Sequence, residues 1–167
     1  MHFFHYGQEK QINRRSGGVG ILLSKRGGDT WERSGSPDPV YAPTLNGIAR
    51  AMGISLTFLD NRNNKVNFFV VSTYHPDNGR SNEEHEEFTS HLGDLYSSVP
   101  NNSTIISGED VNSNLSDRLE HCIFNEANNG RAEGIGPFEC NKSNKRGRIT
   151  LKSIQTHNLS VASSYFK

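Results

Sequence analysis

Apolar runs rich in β-branched and aromatic residues alternate along this chain with polar segments rich in glycine and asparagine. Residues 18–24 and 67–74 are the two strongest runs and predict buried β-strands. Residues 48–59 alternate imperfectly and predict a further strand, and the polar residues 60–64 are suited to turn the chain after it. These segments predict a β-hairpin, and residues 104–107 predict another short strand.

One segment has the sequence signature of a helix. Ser81 and Glu84 have the spacing of a capping box, in which each side chain bonds the backbone N–H of the other residue. Apolar residues follow at i, i+4, i+7 and i+8, namely Phe88, Leu92, Leu95 and Tyr96. The pattern predicts an amphipathic helix over residues 82–97 that ends before Pro100.

The remaining segments have weaker patterns. Residues 27–43 contain a Gly-Gly pair and two prolines and predict a loop with a short helical turn around Trp31. Leu151 and Ile154 share a helical face, and residues 159–166 predict a closing strand. The alternation of strands and helices predicts an α/β fold with sheets covered by helices.

The length of 167 residues is that of a single domain, which we assign to residues 1–167. Within it we expect residues 18–24, 67–74 and 104–107 to lie as neighbouring central strands. The hydrophobic content of 32% and the mean hydropathy of −0.69 are low for a compact domain. Asparagines in loops explain much of this deficit, and the alternative explanation is that part of the core belongs to sequence outside this chain.

Eighteen basic and eighteen acidic residues cancel, so the overall charge favours no class of partner. A nucleic-acid function would have to depend on a local basic patch. The chain shows no signal peptide and no apolar run of membrane-spanning length, which predicts a soluble intracellular protein, nuclear or cytoplasmic, with no membrane partner. Cys122 and Cys140 lack metal-ligand spacing.

Residues 103–114 carry the most chemically informative pattern. A β-branched run reaches Gly108, and Asp110 and Asn112 follow two residues apart. In an extended chain both side chains would point into one cleft at the sheet edge, where a carboxylate can orient water or hold a divalent cation. The alternative is an ordinary turn, in which Asp and Asn bond their own backbone. A calcium loop is excluded, because its glycine and glutamate positions hold Leu115 and His121.

Tyr74 and His75 follow another strand end, just before Pro76. A tyrosine hydroxyl can donate to phosphate, and histidine is a natural acid–base group, so the two strand ends can converge on one pocket. The competing interpretation is that the tyrosine packs and the histidine is exposed.

A compact basic segment lies near the C-terminal end of the chain. Its cations are Lys142, Lys145, Arg146 and Arg148, interleaved with Asn141 and Asn144. Such a segment can contact a phosphate backbone, or it can be the solvated start of a helix.

Taken in chain order, four segments resemble the endonuclease/exonuclease/phosphatase superfamily, in the form carried by the reverse-transcriptase proteins of non-LTR retrotransposons. The segments are residues 17–24 (Gly-Gly-Val-Gly-Ile-Leu-Leu-Ser), 69–76 (Phe-Val-Val-Ser-Thr-Tyr-His-Pro), 105–114 (Ile-Ile-Ser-Gly-Glu-Asp-Val-Asn-Ser-Asn), and a last block of 136–138, 144–147 and 158–166. They have the family's order and similar spacings, and they cover most of the chain.

The resemblance implies a four-layer α/β/β/α sandwich with two mixed sheets and Mg²⁺-dependent hydrolysis of a phosphodiester, with nucleic acid as substrate. Asp110 matches the acid that aligns or activates water and binds the metal. Asn112 and Tyr74 match residues that contact the scissile phosphate. Asn144 matches a polar position at a helix start, and we add His75 and Arg146 as predicted substrate-binding residues.

The chain departs from the family pattern in three places. Glu109 stands as an inserted residue between Gly108 and Asp110, and it leaves the strand end uncertain. Gln8-Glu9 imitates the pair that includes the metal-binding glutamate but lies too close to Gly17. The family's closing Ser-Asp-His motif has no counterpart. The sequence therefore resembles a central fragment, incomplete at both ends, with weak or absent Mg²⁺ binding and impaired catalysis.

Three functions remain open on the sequence. The first is an endonuclease-like hydrolase. The second is a catalytically inactive remnant of a mobile-element endonuclease. The third is a small α/β module that binds nucleic acid without cleaving it. No obligate protein partner is evident from the sequence.

Overall fold

The computed structural model describes residues 1–7, 18–113, 115 and 144–161. Two compact units divide the chain: residues 1–75 with 90–110 form the first unit, and residues 76–89 with 111–167 form the second. Within the described residues the elements are β1 (His2–Gly7), β2 (Gly18–Leu23), α1 (Lys25–Arg33), β3 (Val40–Tyr41), β4 (Ala51–Leu59), β5 (Lys65–Tyr74), α2 (Asn82–Ser97), β6 (Ser103–Asp110) and α3 (Lys145–Thr156).

The large sheet of the first unit has the strand order β3-β4-β5-β6. β4 and β5 form the predicted antiparallel hairpin, with Leu59 opposite Lys65 at its closed end. Asp60 organises the turn between them, because its carboxylate accepts the backbone N–H groups of Arg62 and Asn64 at 2.7 and 2.8 Å. β6 then pairs with β5 in parallel, after a crossover that contains α2.

The small sheet pairs β1 and β2 antiparallel, with Phe3 opposite Leu22. Alternate residues of β2 are buried, and they pack with the apolar face of β4 in one cluster. Its buried members are Val19, Ile21, Leu23, Met52, Ile54 and Leu56. The two open sheets thus pack face to face, which confirms the predicted α/β class. The prediction that residues 18–24 neighbour β5 and β6 is wrong, since β2 belongs to the other sheet.

α1 shows that the short helical turn predicted around Trp31 is a longer helix, Lys25–Arg33, which corrects the prediction of a loop over the first part of residues 27–43. Ser24 is the N-cap, and its hydroxyl accepts the backbone N–H of Gly27 at 3.2 Å. One glycine of the Gly-Gly pair that suggested a loop, Gly28, lies close to His2, because a Cβ on Gly28 would be 2.4 Å from the His2 ring. Gly28 therefore allows the His2 ring to lie close to the helix backbone. The turn propensity of glycine alone gave the wrong prediction of a loop.

α2 has the predicted bounds and the predicted capping box. The Ser81 hydroxyl accepts the N–H of Glu84, and the Glu84 carboxylate accepts the N–H of Ser81, both at 3.2 Å. In the first unit, Tyr96 near the end of α2 bonds side chains of β6. The end of this helix therefore lies against one face of the large sheet.

The second unit has a core of its own. Leu115, Leu151 and Ile154 form its buried part, with Val111, Leu159 and Val161 packed against them. Leu151 and Ile154 lie on one face of α3, as the sequence predicted. The predicted strand over residues 159–166 falls largely outside the described residues, as do Gln8, Glu9 and Lys142. None of the described helices is both long enough and apolar enough to cross a bilayer.

Candidate functional site

Tyr74 and Asp110 are direct neighbours at one edge of the large sheet, namely the edge where the carboxyl ends of the parallel strands β5 and β6 lie. They are the last residues of β5 and β6, and they occupy paired positions in the parallel register. Just beyond them, the backbone N–H of His75 donates to the carbonyl of Asp110 over 2.9 Å. The two strand ends therefore lie side by side as predicted, whereas the convergence of their side chains on one pocket stays a prediction.

The alternation of the strands decides which face each side chain occupies. Tyr74 packs against the apolar cluster between the two sheets. Asp110, its paired neighbour, projects from that same face of β6 and is exposed. Glu109 projects from the opposite face, where it meets Tyr96 of α2. Consecutive acids thus have different surroundings, because the side chains of a strand alternate between its faces.

β6 is regular to its end, which corrects two expectations. The predicted strand stopped at residue 107, but the paired register continues through Gly108 and Glu109 to Asp110. Glu109 is therefore an ordinary strand residue opposite Thr73, and it does not disturb the strand end. Glycine gave a false stop signal, since an open β-strand position also accepts it.

Asn112 lies outside the strand and has a φ of 46°, in the left-handed region. Asparagine is among the few non-glycine residues that adopt this conformation readily. The argument from extended i and i+2 positions therefore does not apply to Asn112. Its predicted contact with phosphate stays a prediction that depends on the resemblance.

Arg50 is a residue of this edge that the sequence analysis missed. It precedes β4, its carbonyl accepts the N–H of Tyr74 at 2.8 Å, and it is only 4% exposed. Its guanidinium donates to the Tyr74 carbonyl over 3.2 Å and lies 5.5 Å from the centre of the Tyr74 ring. A cation over an aromatic face restrains the ring. The available signal was a lone arginine in the otherwise small and apolar run of residues 48–54.

Behind the strand end, Glu109 joins three side chains. Its Oε2 lies 3.1 Å from Nε2 of His75, and its Oε1 accepts the hydroxyl of Tyr96 at 2.6 Å. The Tyr96 hydroxyl also lies 3.2 Å from Oγ of Ser107. We call His75, Tyr96, Ser107 and Glu109 the strand-end network. It connects the end of β5, the end of β6 and α2.

The charge of Glu109 follows from these contacts. Burial by itself would raise the pKa of the carboxyl, but the hydrogen bond and electrostatic interaction with His75, with the bonds from Tyr96 and Ser107, lower it to about 2. Burial and the adjacent carboxylate raise the pKa of Tyr96 well above its ordinary range. Tyr96 therefore remains a hydrogen-bond donor and Glu109 remains ionised at neutral pH.

His75 was predicted to bind substrate. Its side chain is 4% exposed and is directed at Glu109. The ring position is therefore explained by the strand-end network, and contact with substrate stays a prediction. The expectation of an exposed histidine before Pro76 is wrong, because burial behind β6 outweighs the polar tendency of the residue.

Asn144 and Arg146 lie in the second unit and have structural partners there. Asn144 is the N-cap of α3, and its Oδ1 accepts the N–H of Gly147 at 2.7 Å. Arg146 donates to the carbonyls of Asn78 and Arg80 over 2.8 and 2.6 Å and to the Asn78 side chain over 2.9 Å. Helix capping and the anchoring of a turn account for both residues, and their predicted substrate contacts stay predictions.

The magnesium implied by the resemblance needs several oxygen ligands. In the described parts of the chain, no group of three or more His, Cys, Asp or Glu side chains is placed to hold a metal ion. Asp110 is exposed on the face that bears Tyr74, whereas Glu109 is directed to the other face and bonded there. The described residues alone thus do not fit a complete magnesium site.

Comparison with protein-family models, with curated proteins and with solved structures finds no match to this chain. Any functional assignment therefore depends on the residues themselves and on their arrangement at the sheet edge.

Proposed function

We propose that this chain carries the phosphate-contacting edge of an endonuclease-like, Mg²⁺-dependent phosphodiester hydrolase, with nucleic acid as the substrate class. The observation that carries the proposal is the pairing of Tyr74 with Asp110 at the ends of two parallel strands. Open α/β sheets bind ligands at the carboxyl ends of their strands. An intracellular location, nuclear or cytoplasmic, is part of the same proposal.

The two side chains have complementary chemistry for a phosphodiester. A tyrosine hydroxyl is neutral at physiological pH and can donate a hydrogen bond to a non-bridging phosphate oxygen. The carboxylate of Asp110 accepts hydrogen bonds only, so it can orient a water molecule or a hydrated cation beside that phosphate. Arg50 contributes to this arrangement because its guanidinium contacts the Tyr74 ring and bonds the Tyr74 carbonyl, which restrains the position of the Tyr74 hydroxyl.

The magnesium ion would supply charge stabilisation and an activated water molecule. Because the described residues offer one exposed carboxylate at this edge, we propose weak Mg²⁺ binding and slow cleavage, or none, for the chain alone. Measurement of the cleavage rate therefore distinguishes an inactive remnant of a mobile-element endonuclease from an active but slow enzyme.

A module that binds nucleic acid without cleaving it, through residues 142–148, is the competing proposal. It is weakened by Arg146, whose donors bond the backbone and side chain of the turn at Asn78–Arg80. Lys145 and Arg148 are the further cations of the described part of this segment.

The test combines binding and cleavage. Fluorescence anisotropy with a labelled single-stranded oligonucleotide, with and without Mg²⁺, gives the gain in affinity due to the ion, and plasmid nicking gives the rate. We expect a Mg²⁺-dependent gain that Asp110→Asn abolishes, and an affinity that Tyr74→Phe lowers about tenfold, since a hydrogen bond to a charged group is lost. Lys145→Ala is the matched control and should leave the Mg²⁺-dependent gain unchanged.

Three results are informative about the proposal. Absence of both nicking and a Mg²⁺-dependent gain would contradict it. Affinity that depends on Lys145 and not on Asp110 would favour the non-cleaving module. Fast nicking that Asp110→Asn abolishes would support the site and refute the expectation of slow cleavage.

A further inference from the structure

The strand-end network indicates how the ends of β5 and β6, with Tyr74 and Asp110, are held in position. Glu109 is one residue from Asp110 but on the opposite face of β6, and its side chain is 16% exposed. It therefore sits behind the proposed site, where it cannot reach a ligand on the face of Tyr74 and Asp110.

The three partners of Glu109 come from different places in the chain. His75 follows the last residue of β5, Tyr96 lies in the last turn of α2, and Ser107 precedes Glu109 by two positions on the same face of β6. Both carboxylate oxygens are engaged, one by His75 and one by Tyr96. A carboxylate held from two directions has a fixed orientation, and so does the backbone that bears it.

The backbone of the same residues links this network to the site. His75 donates its backbone N–H to the carbonyl of Asp110 and directs its ring to Glu109. One residue at the end of β5 therefore bonds two consecutive residues at the end of β6. Strand ends usually fray, because their last backbone groups lack a continuing ladder. Side-chain bonds at this point oppose that fraying.

We propose that Glu109 is a positioning residue, whose bonds to His75 and Tyr96 hold Asp110 in register beside Tyr74. The inference deepens the proposed function and rests on it for the importance of Asp110. The bracing of the strand end is itself independent of any ligand. The two parts can therefore fail separately.

Hydrogen exchange of the His75 backbone amide tests the brace without a ligand, because this N–H bonds the Asp110 carbonyl directly. We expect Glu109→Gln and Tyr96→Phe to speed its exchange about tenfold relative to the amide of Val71, in the middle of the ladder. His75→Gln keeps an N–H donor near the position of Nε2 and should retain much of the protection that His75→Ala loses. Tyr41→Phe, which removes an exposed hydroxyl, is the control for Tyr96→Phe.

The same variants test the consequence for the site. Tyr96→Phe leaves the charge near Asp110 unchanged, so a reduced Mg²⁺-dependent gain in oligonucleotide affinity would report on position. We expect that gain to fall about tenfold, the usual effect of removing a group that orients a ligand residue. In the Asp110→Asn background the same substitution should have no further effect on the gain, whereas general destabilisation would act in both backgrounds.

Two outcomes overturn the inference. Exchange at His75 that is unchanged in folded Glu109→Gln and Tyr96→Phe would show that the network does not brace the strand end. Exchange that rises equally at His75 and Val71 would show a global loss of stability without a local function. If exchange responds as expected but the wild-type chain shows no Mg²⁺-dependent gain, the brace stands and the proposed function fails.

Discussion

At the scale of residues, the most consequential arrangement is the placement of the consecutive acids Glu109 and Asp110 on opposite faces of β6. Strand alternation places Asp110 on the face that bears Tyr74, where Asp110 is exposed, and Glu109 on the opposite face, where it remains ionised among His75, Tyr96 and Ser107. The sequence predicted Asp110 because a local motif surrounds it. It could not predict the function of Glu109, whose partners lie 13 and 34 positions away.

The lowered pKa of Glu109 predicts how stability depends on pH. Because its pKa falls from an ordinary 4.5 to about 2 on folding, its contribution is complete above pH 4.5 and is lost as the pH falls toward 2. The difference in unfolding free energy between wild type and Glu109→Gln should therefore be constant from neutral pH to about 5 and then shrink by roughly 3 kcal/mol. Urea unfolding at several pH values measures it. A constant difference down to pH 2 would contradict the prediction.

At the scale of elements, most patterns of one strand or helix transferred to the structure, whereas the predicted pairings between elements transferred only in part. α2 has its predicted bounds because capping box and apolar stripe agree along one local segment. The parallel neighbours β5 and β6 were predicted as neighbours, but β2 was assigned to the wrong sheet. An apolar run says that a strand is buried and does not say which strand it pairs with.

Gly53 in β4 shows how one position constrains a sheet. A Cβ there would lie 2.4 Å from Cζ of Phe69, a fully buried ring. We expect Gly53→Ala to lower the unfolding free energy by about 2 kcal/mol through overpacking, and less in a Phe69→Leu background. Gly108→Ala is the control in β6, because its Cβ would meet only ordinary contact at 3.9 Å. Equal effects of the two alanines in chemical denaturation would refute the packing argument.

The cap of α3 separates two functions of Asn144. As an N-cap, its replacement by alanine should cost about 1 kcal/mol, whereas serine should be nearly neutral. If Asn144 also contacts substrate, as the resemblance implies, Asn144→Ser should keep stability and lose oligonucleotide affinity. Unchanged affinity in this stable variant would confine Asn144 to capping.

At the scale of the whole molecule, two compact units each have an apolar core, and the charges of the chain cancel. The α/β class followed from the alternation of strands and helices. The residues of the candidate site were predicted from the sequence only in part. Tyr74 and Asp110 were predicted, whereas Arg50 and the partners of Glu109 depend on contacts across strands. Those contacts are set by tertiary packing, which no local pattern contains.

Zero net charge and one proposed phosphate site predict a weak dependence of binding on salt. Each phosphate neutralised by a protein cation contributes to the slope of log affinity against log salt concentration. We expect a slope of about −1 to −2 for a single-stranded oligonucleotide, measured by anisotropy over a salt series. A slope steeper than about −4 would require an extended basic surface and would favour the non-cleaving module.

β6 is the outermost strand on one side of the large sheet, and no other strand of the described part of the chain pairs with its outer side. Ile106 is 51% exposed on this strand, so backbone hydrogen-bonding groups and an apolar side chain occur together. Such an edge is a template for another extended chain. The stored protein should therefore self-associate as its concentration rises, with a gain in β-structure by infrared spectroscopy. Ile106→Lys, which adds a charge to the edge, should keep it monomeric in light scattering.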